Sequence, residues 1–280
     1  MAITRKIRRR IYKKVYANRT SEPFISGDQF RINSDFTFTG SDNVRNSTMR
    51  NLVEAKVIFC KGDKAKEFMA EYSNVSSASV IIVGNSDEEF DEPFLKIPRS
   101  VKLVLMQNMN FSAPNYLPIP IGLENLALAN NGFPLLMHRD VSWEESVPRV
   151  LVGPFSLTHS ERSELLRLTS EPHLDFLSSR LPPHQYAKIA GGYRFVACPR
   201  GNGIDTHRLW ETIYRGSIPI LTQSNWLKNF DWLSNHCIPL QKWDDLTKFS
   251  VDDLAKVKKP DGIPEQLWWP YWKKLIANYC

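Results

Sequence analysis

Unbroken apolar runs constrain this chain more than any other feature. "AKVIFC" (55–60), "ASVIIVG" (78–84) and "VKLVLMQN" (101–108) each read as a strand, and "LPIPIG" (117–122) as an extended, proline-restricted segment. A strand with one wet face alternates apolar and polar residues. Continuous Val/Ile/Leu runs need cover on both faces, the condition of a parallel sheet flanked by helices. "AKEFMAEYS" (65–73) has helical spacing and lies between two of these runs.

A second series begins near Arg149. "RVLVGPF" reads as a strand, "SERSELLRLT" and "PHQYAKIAG" as helices, and "YRFVAC" as a strand. "DTHRLWETIYR" then reads as a helix and "SIPILT" as a strand. Two β/α series in tandem predict an α/β protein of two Rossmann-like domains with parallel sheets. The join falls in the polar stretch from Asn130 to Pro148. The expected organisation is an arm at 1–20, an N-terminal domain at 21–145, a C-terminal domain at 146–265 and a closing helix at 266–280.

At 280 residues the chain is long enough for two such domains. No run reaches the ~18 apolar residues that a membrane-spanning helix needs, and no secretory signal is legible. The four cysteines, Cys60, Cys198, Cys237 and Cys280, form no CxxC pair, so a zinc site or disulfide framework is not expected. A reducing, cytoplasmic setting fits this cysteine usage.

The formal charge of +6 is unevenly placed. Residues 1–19 hold eight Lys/Arg and no acid, leaving 28 basic against 30 acidic side chains in the rest. Ile3, Ile7, Ile11 and Val15 share one stripe of a helix, so the arm reads as a basic amphipathic, membrane-peripheral element or as a solvated tail. A nucleic-acid-binding arm is a third reading. The near-neutral body is not that of a nucleic-acid binder, and no nucleic-acid partner is expected.

The chemistry concentrates in "CPRGNGIDTHRLWETIYRGSIPIL" (198–221). With the strand before it, this stretch has the length of one βαβ unit. Gly201 and Gly203 are expected to allow a tight, left-handed turn. Asp205 is the expected helix N-cap, and Gly216 the helix stop. The loop then lies at the carboxyl end of a parallel strand, where open α/β sheets bind ligands. A helix N-terminus there suits phosphate, and Arg200 and Arg208 suit it further. Glu211, one turn beyond Arg208, is placed to accept from ribose hydroxyls. The alternative is a capped helix with ion pairs at i, i+3. Neither a Walker A loop nor GxGxxG is present.

"FVACPRGNGIDTHRLWETIYRGSIPIL" resembles the C-terminal sugar-nucleotide-binding segment of exostosin-like glycosyltransferases. The matching positions are Phe195, Pro199, Arg200, Gly201, Gly203, Asp205, Arg208, Trp210, Glu211, Gly216, Ile218, Pro219 and Ile220. Weaker similarity runs through "ISGDQFR", "VIIVGNSDEEF", "MQNMNF" and "PIPIGLEN". The resemblance implies a GT-B fold, two Rossmann-like domains facing a central cleft, with the donor held mainly by the C-terminal one. It implies inverting transfer from a nucleotide sugar, UDP- or GDP-linked, to a glycan or glycolipid hydroxyl, with no obligatory metal and no other cofactor. No Asp-x-Asp occurs in the chain.

On this reading Arg200, Arg208 and the helix N-terminus stabilise the departing diphosphate. Gly201, Gly203, Asp205, Thr206, His207 and His159 complete the donor-side set. His207 is equally an exposed helix residue, and His159 equally a helix-capping one. The acceptor hydroxyl needs a base from the N-terminal domain. Asp87 is the first candidate, with Asp28 and Glu124 behind it. Asp87 is alternatively a turn aspartate. Asn85, Ser86 and Asn108 are acceptor-side candidates or turn residues. His138, His173, His184 and His236 have no metal-ligand spacing and read as structural. The "WWPYW" cluster (268–272) reads as core in a final helix that crosses back to the first domain, rather than as a sugar platform. The competing function is a non-catalytic module that binds nucleotide sugars or glycans.

Overall fold

The computed structural model describes residues 19–41, 44, 46–128 and 131–280. The basic arm read over 1–20 lies, apart from Arg19 and Thr20, outside the described residues. The rest forms two compact units, one reaching to position 129 and completed by Glu265–Cys280, the other covering 130–264. Each is an α/β unit around a five-stranded parallel sheet, a Rossmann-like arrangement.

In the first unit the strands are β1 (Phe36–Phe38), β2 (Val57–Lys61), β3 (Val80–Gly84), β4 (Leu103–Met106) and β5 (Tyr116–Pro118), adjacent in chain order. Helices α1 (Gly27–Ile32), α2 (Asn46–Glu54) and α3 (Ala65–Tyr72) accompany them. Every residue of β3 and β4 is buried, as the unbroken apolar runs require. Phe38 meets Phe68 edge-on at 5.2 Å and Tyr72 at a tilt at 5.4 Å, while Phe68 and Tyr72 stack at 6.1 Å.

The second unit holds β6 (Val147–Val152), α4 (Ser160–Leu165), β7 (Leu174–Phe176), α5 (Pro183–Gly191) and β8 (Tyr193–Ala197). After these come α6 (His207–Tyr214), β9 (Ile218–Thr222), α7 (Asn225–Lys228), β10 (Ile238–Leu240) and α8 (Val251–Lys256). The sheet order is β7-β6-β8-β9-β10. The chain therefore steps outward from β6 to β7 and returns past β6 to β8. Such a reversal is a topological switch point, and it opens a crevice beyond the carboxyl ends of β6 and β8.

The last helix, α9 (Trp269–Ala277), belongs to the first unit. Trp269 and Trp272 are buried, with ring centroids 5.3 and 5.7 Å from Phe30. Trp269 N donates to Pro23 O at 2.8 Å. These two aromatics are therefore core side chains.

One close approach in the first unit tests this packing. Gly122 has φ +65°, and a Cβ there would stand 2.8 Å from the carbonyl carbon of Ile25 and nearer still to its oxygen. Gly262 has a similar φ, +67°, and open space around it. Gly262→Ala is expected to cost about 1 kcal/mol of backbone strain. Gly122→Ala adds an overlap with main chain and is expected to cost about 2–5 kcal/mol. Urea midpoints of the two variants measure the difference.

Candidate functional site

The carboxyl edge of the second sheet is built from three loops, after β6, β8 and β9. The first leaves β6 at Gly153, whose φ of +82° only glycine adopts freely. A side chain there would also meet Leu177 O at 2.8 Å. The loop carries Phe155 forward and ends at His159, the N-cap of α4. His159 Nδ1 accepts from Glu161 N at 3.3 Å, so this histidine is engaged in capping.

Arg208, on the first turn of α6, reaches across to this loop. Its Nη1 donates to Gly153 O at 3.0 Å and its Nη2 to Pro154 O at 2.7 Å. The guanidinium lies 4.6 Å from the Phe155 ring centroid and 5.2 Å from that of Tyr186. Arg162, on α4, approaches the same Phe155 ring at 5.8 Å. Its Nε donates to Arg200 O and its Nη1 to Ser156 O, each at 2.8 Å. Arg180 Nη2 donates to Ser156 Oγ in the same loop.

Two guanidinium groups thus flank one aromatic ring, and only neutral main-chain oxygens hold them. Neither Arg162 nor Arg208 forms an ion pair among the described residues. Each uses two of the five N–H donors that a guanidinium carries. Burial, and next the neighbouring charge of Arg208, pushes the Arg162 guanidinium below its ordinary value, with Glu161 opposing. Burial alone does the same for Arg200. Like charges held together with no ion-paired carboxylate among the described residues make this edge electropositive.

The glycines of the next loop act differently from the sequence expectation. Neither Gly201 nor Gly203 has positive φ. Gly201 N donates to Gly203 O at 3.1 Å, closing the turn. What position 201 requires is room, because a Cβ would stand 2.7 Å from Arg162 Nη2. The N-cap of α6 is Thr206, one residue after the expected Asp205. Asp205 is buried and accepts from Trp210 Nε1 at 2.6 Å. His207 is the first residue of α6.

Glu211 is 4% exposed and lies 3.6 Å from Arg215 Nη2. It is buried and paired with Arg215, its i+4 neighbour. The carboxylate at the pocket is Glu161, which the sequence reading missed together with Arg162. A pocket of about 140 Å3 lies between the second and third loops, lined by Glu161, Cys198, Arg200, Ile204, Thr222 and Trp226 among others. Glu161 is fixed there by Thr222 Oγ1 and Trp243 Nε1, each donating at 3.0 Å. Burial pushes the Cys198 thiol up to about 12, so it is neutral at physiological pH.

In the first unit, the loops after β3, β4 and β5 meet the start of α1 at the carboxyl edge of the sheet. Ser26 caps α1 by accepting from Gln29 N at 3.1 Å. Asp28 Oδ1 accepts from Arg31 Nε at 2.7 Å and from Asn85 Nδ2 at 3.2 Å. Asn85 Oδ1 accepts in turn from Asn125 Nδ2 at 3.0 Å, and Asn125 Oδ1 from Asp28 N at 2.7 Å. This closed ring joins three distant segments. Asn85 and Asn108 follow β3 and β4 with φ of +55° and +52°. Asn108 is buried, and its Nδ2 donates to Ser86 O at 2.9 Å, while Ser86 Oγ accepts from Glu88 N. Gly27 is needed because a Cβ would overlap Asn85 Oδ1.

The structure therefore brings Asp28, Asn85 and Asn125 together. It leaves Asp87 exposed on the loop after β3 and Glu124 half-buried beside Asn125. No family model matches the chain, and no curated protein is detectably similar to it. No helix among the described residues is long and apolar enough to cross a membrane.

Proposed function

We propose that the protein is a glycosyltransferase that moves a sugar from a nucleoside-diphosphate donor to a glycan or glycolipid hydroxyl, with inversion. The GT-B arrangement, two such units facing a central cleft, is part of the proposal. So is the arm at 1–19 as a contact with the inner face of a membrane. One observation carries the reading: Arg162 and Arg208, both held on main-chain carbonyls and in no ion pair among the described residues, converge at the switch point of the second sheet.

The chemistry follows from charge. When the bond from the anomeric carbon to the diphosphate oxygen breaks, negative charge grows on that oxygen. Guanidinium groups already fixed in place stabilise it without reorganising. Arg200 joins Arg162 and Arg208 in this role, and the 140 Å3 pocket beside Arg200 takes the nucleoside end. We assign the ribose contact to the pocket-lining Glu161 ahead of the buried Glu211. The acceptor hydroxyl loses its proton as its oxygen attacks the anomeric carbon from the opposite side. Asp28 is our first choice for that base, ahead of Asp87 and Glu124, because the Asn85–Asn125 ring and Arg31 orient its carboxylate through Oδ1, while Oδ2 has no donor among the described residues.

Thermal stability measured across UDP-, GDP-, dTDP- and CMP-linked sugars, together with release of the free nucleotide, tests the reading. One donor class is expected to raise the melting midpoint and to be turned over. Stabilisation without turnover favours the non-catalytic binding module. A flat response to all four classes overturns the proposal.

A further inference from the structure

A second pocket of the 130–264 unit lies at the other edge of its sheet, where the strands begin. Its volume is about 270 Å3. Arg139, Arg215 and Lys259 line it with His236, Ile213 and Ile263. Gly216, at the end of α6 with φ +71°, turns the chain into β9 at its wall. The glycosyl-transfer reading uses none of these residues.

The charge at this pocket is positive. Arg139 Nε donates to Gly191 O, Nη1 to Gly216 O and Nη2 to Tyr193 O, all at 3.0 Å. Three of its five N–H groups are spent on carbonyls that close the bottom of the sheet, and two remain. Arg215 donates to Leu136 O and Glu211 O. The carbonyl charge at the end of α6, which disfavours an anion, is thereby already answered by the two arginines. Among the described residues, Glu211 is the one carboxylate in ion-pair contact with them, at 3.6 Å from Arg215. Lys259 is exposed and forms no ion pair among the described residues. Burial, and next the charge of Arg194, holds Arg139 below its ordinary value, with Glu144 opposing. An anion beside Arg139 relieves both effects.

His236 supplies an independent sign. Both of its ring nitrogens are shielded from solvent, and neither has a hydrogen-bond partner among the described residues. A shielded imidazole that satisfies neither nitrogen is unfavourable. The same ring lines the pocket.

We propose that this pocket binds a small organic anion with an apolar body, its phosphate or carboxylate group held by Arg139 and Lys259 and its body against Ile213 and Ile263. The volume fits a ligand of about ten to fifteen non-hydrogen atoms, at the small end of ligand sites. The proposal is independent of the donor site at the opposite edge.

Full-length protein labelled with 15N in its histidine rings, titrated with phenyl phosphate, tests it. Saturable movement of the His236 ring signals is expected. Benzoate in a parallel arm shows whether a carboxylate serves as well as a phosphate, either result supporting the site. Benzyl alcohol, which lacks the charge, is expected to leave the signals in place. Lys259→Glu, a change on the surface, is expected to weaken the response at least tenfold. Ile263→Trp fills the cavity without altering a charge and is expected to remove it. The response must persist in Arg208→Ala, which separates it from phosphate bound at the other edge. Unmoved His236 signals, equal movement with benzyl alcohol, or an undiminished response in Lys259→Glu overturns the proposal.

Discussion

Nucleoside-diphosphate binding is expected to weaken by about 100-fold in Arg208→Ala, from the loss of two charge-assisted hydrogen bonds at roughly 1.5 kcal/mol or more each. Donor-induced thermal stabilisation should disappear at concentrations that saturate the wild type. The same substitution uncaps Gly153 O and Pro154 O and removes a cation from the faces of Phe155 and Tyr186. The free variant should therefore also lose about 1–3 kcal/mol of stability. Arg162→Ala tests the second cation; it uncaps Arg200 O and Ser156 O, so its melting midpoint is read alongside its affinity. It leaves the Gly153–Pro154 contacts alone, lifts the repulsion that Arg208 exerts, and is still expected to weaken binding by at least tenfold. Arg208→Lys keeps a charge but loses the fork, and should fall between wild type and alanine. Isothermal titration with UDP and GDP reads all three. Affinity unchanged in both alanine variants removes the diphosphate from this edge.

Why Arg208 was legible and Arg162 was not follows from how each is placed. Arg208 sits in a motif that also contains its loop and its strand, so local spacing locates it. Arg162 lies only seven residues from the same ring, but no motif marks that segment, and its tie to Arg200 O spans 38 residues. Within "SLTHSER" only the capping histidine has a local signature. The central strands were readable because both faces are covered, and β3 and β4 are buried along their whole length. Edge strands β1 and β7 span three residues each and are only partly covered, which leaves no run to read. Helix α1 is six residues long and begins with glycine. Its start carries a local cap, Ser26, but the tie that places it is Asn125, a partner 97 residues away that no local pattern announces.

Glu211 and the two loop glycines show the limit of a helical-wheel reading. Residues 208 and 211 are neighbours on one edge of α6, and spacing alone gives them the same environment. In the structure Arg208 leaves toward the β6 loop, whereas Glu211 is buried and paired with Arg215, its i+4 neighbour. Glycine at 201 likewise signals a backbone exception to a reader of sequence. Its cause is a side chain from α4 that occupies the space of its Cβ. Left-handed backbone occurs instead at Gly153, one loop earlier, where the apolar context gives no hint of function.

Asp28→Asn separates a base from a turn aspartate. Asparagine keeps the shape, and its oxygen can still accept from Arg31 Nε and Asn85 Nδ2, so the ring with Asn125 survives. It cannot take a proton. Turnover, followed as release of nucleoside diphosphate, is expected to fall by about 10²–10⁴-fold, the usual contribution of a positioned base. The KM for the donor should stay near wild type, because the donor contacts lie in the other unit. Asp87→Asn changes an exposed loop residue and should leave turnover close to wild type, as should Glu124→Gln. Gly27→Ala makes the complementary test. Its Cβ overlaps Asn85 Oδ1, so the carboxylate remains while the group that orients it is displaced. If Asp28 acts only through folding, Asp28→Asn lowers stability and turnover together, and Gly27→Ala does the same. If it is the base, Asp28→Asn melts like the wild type and does not turn over. Full activity in Asp28→Asn, or a loss confined to Asp87→Asn, transfers the role to the loop after β3.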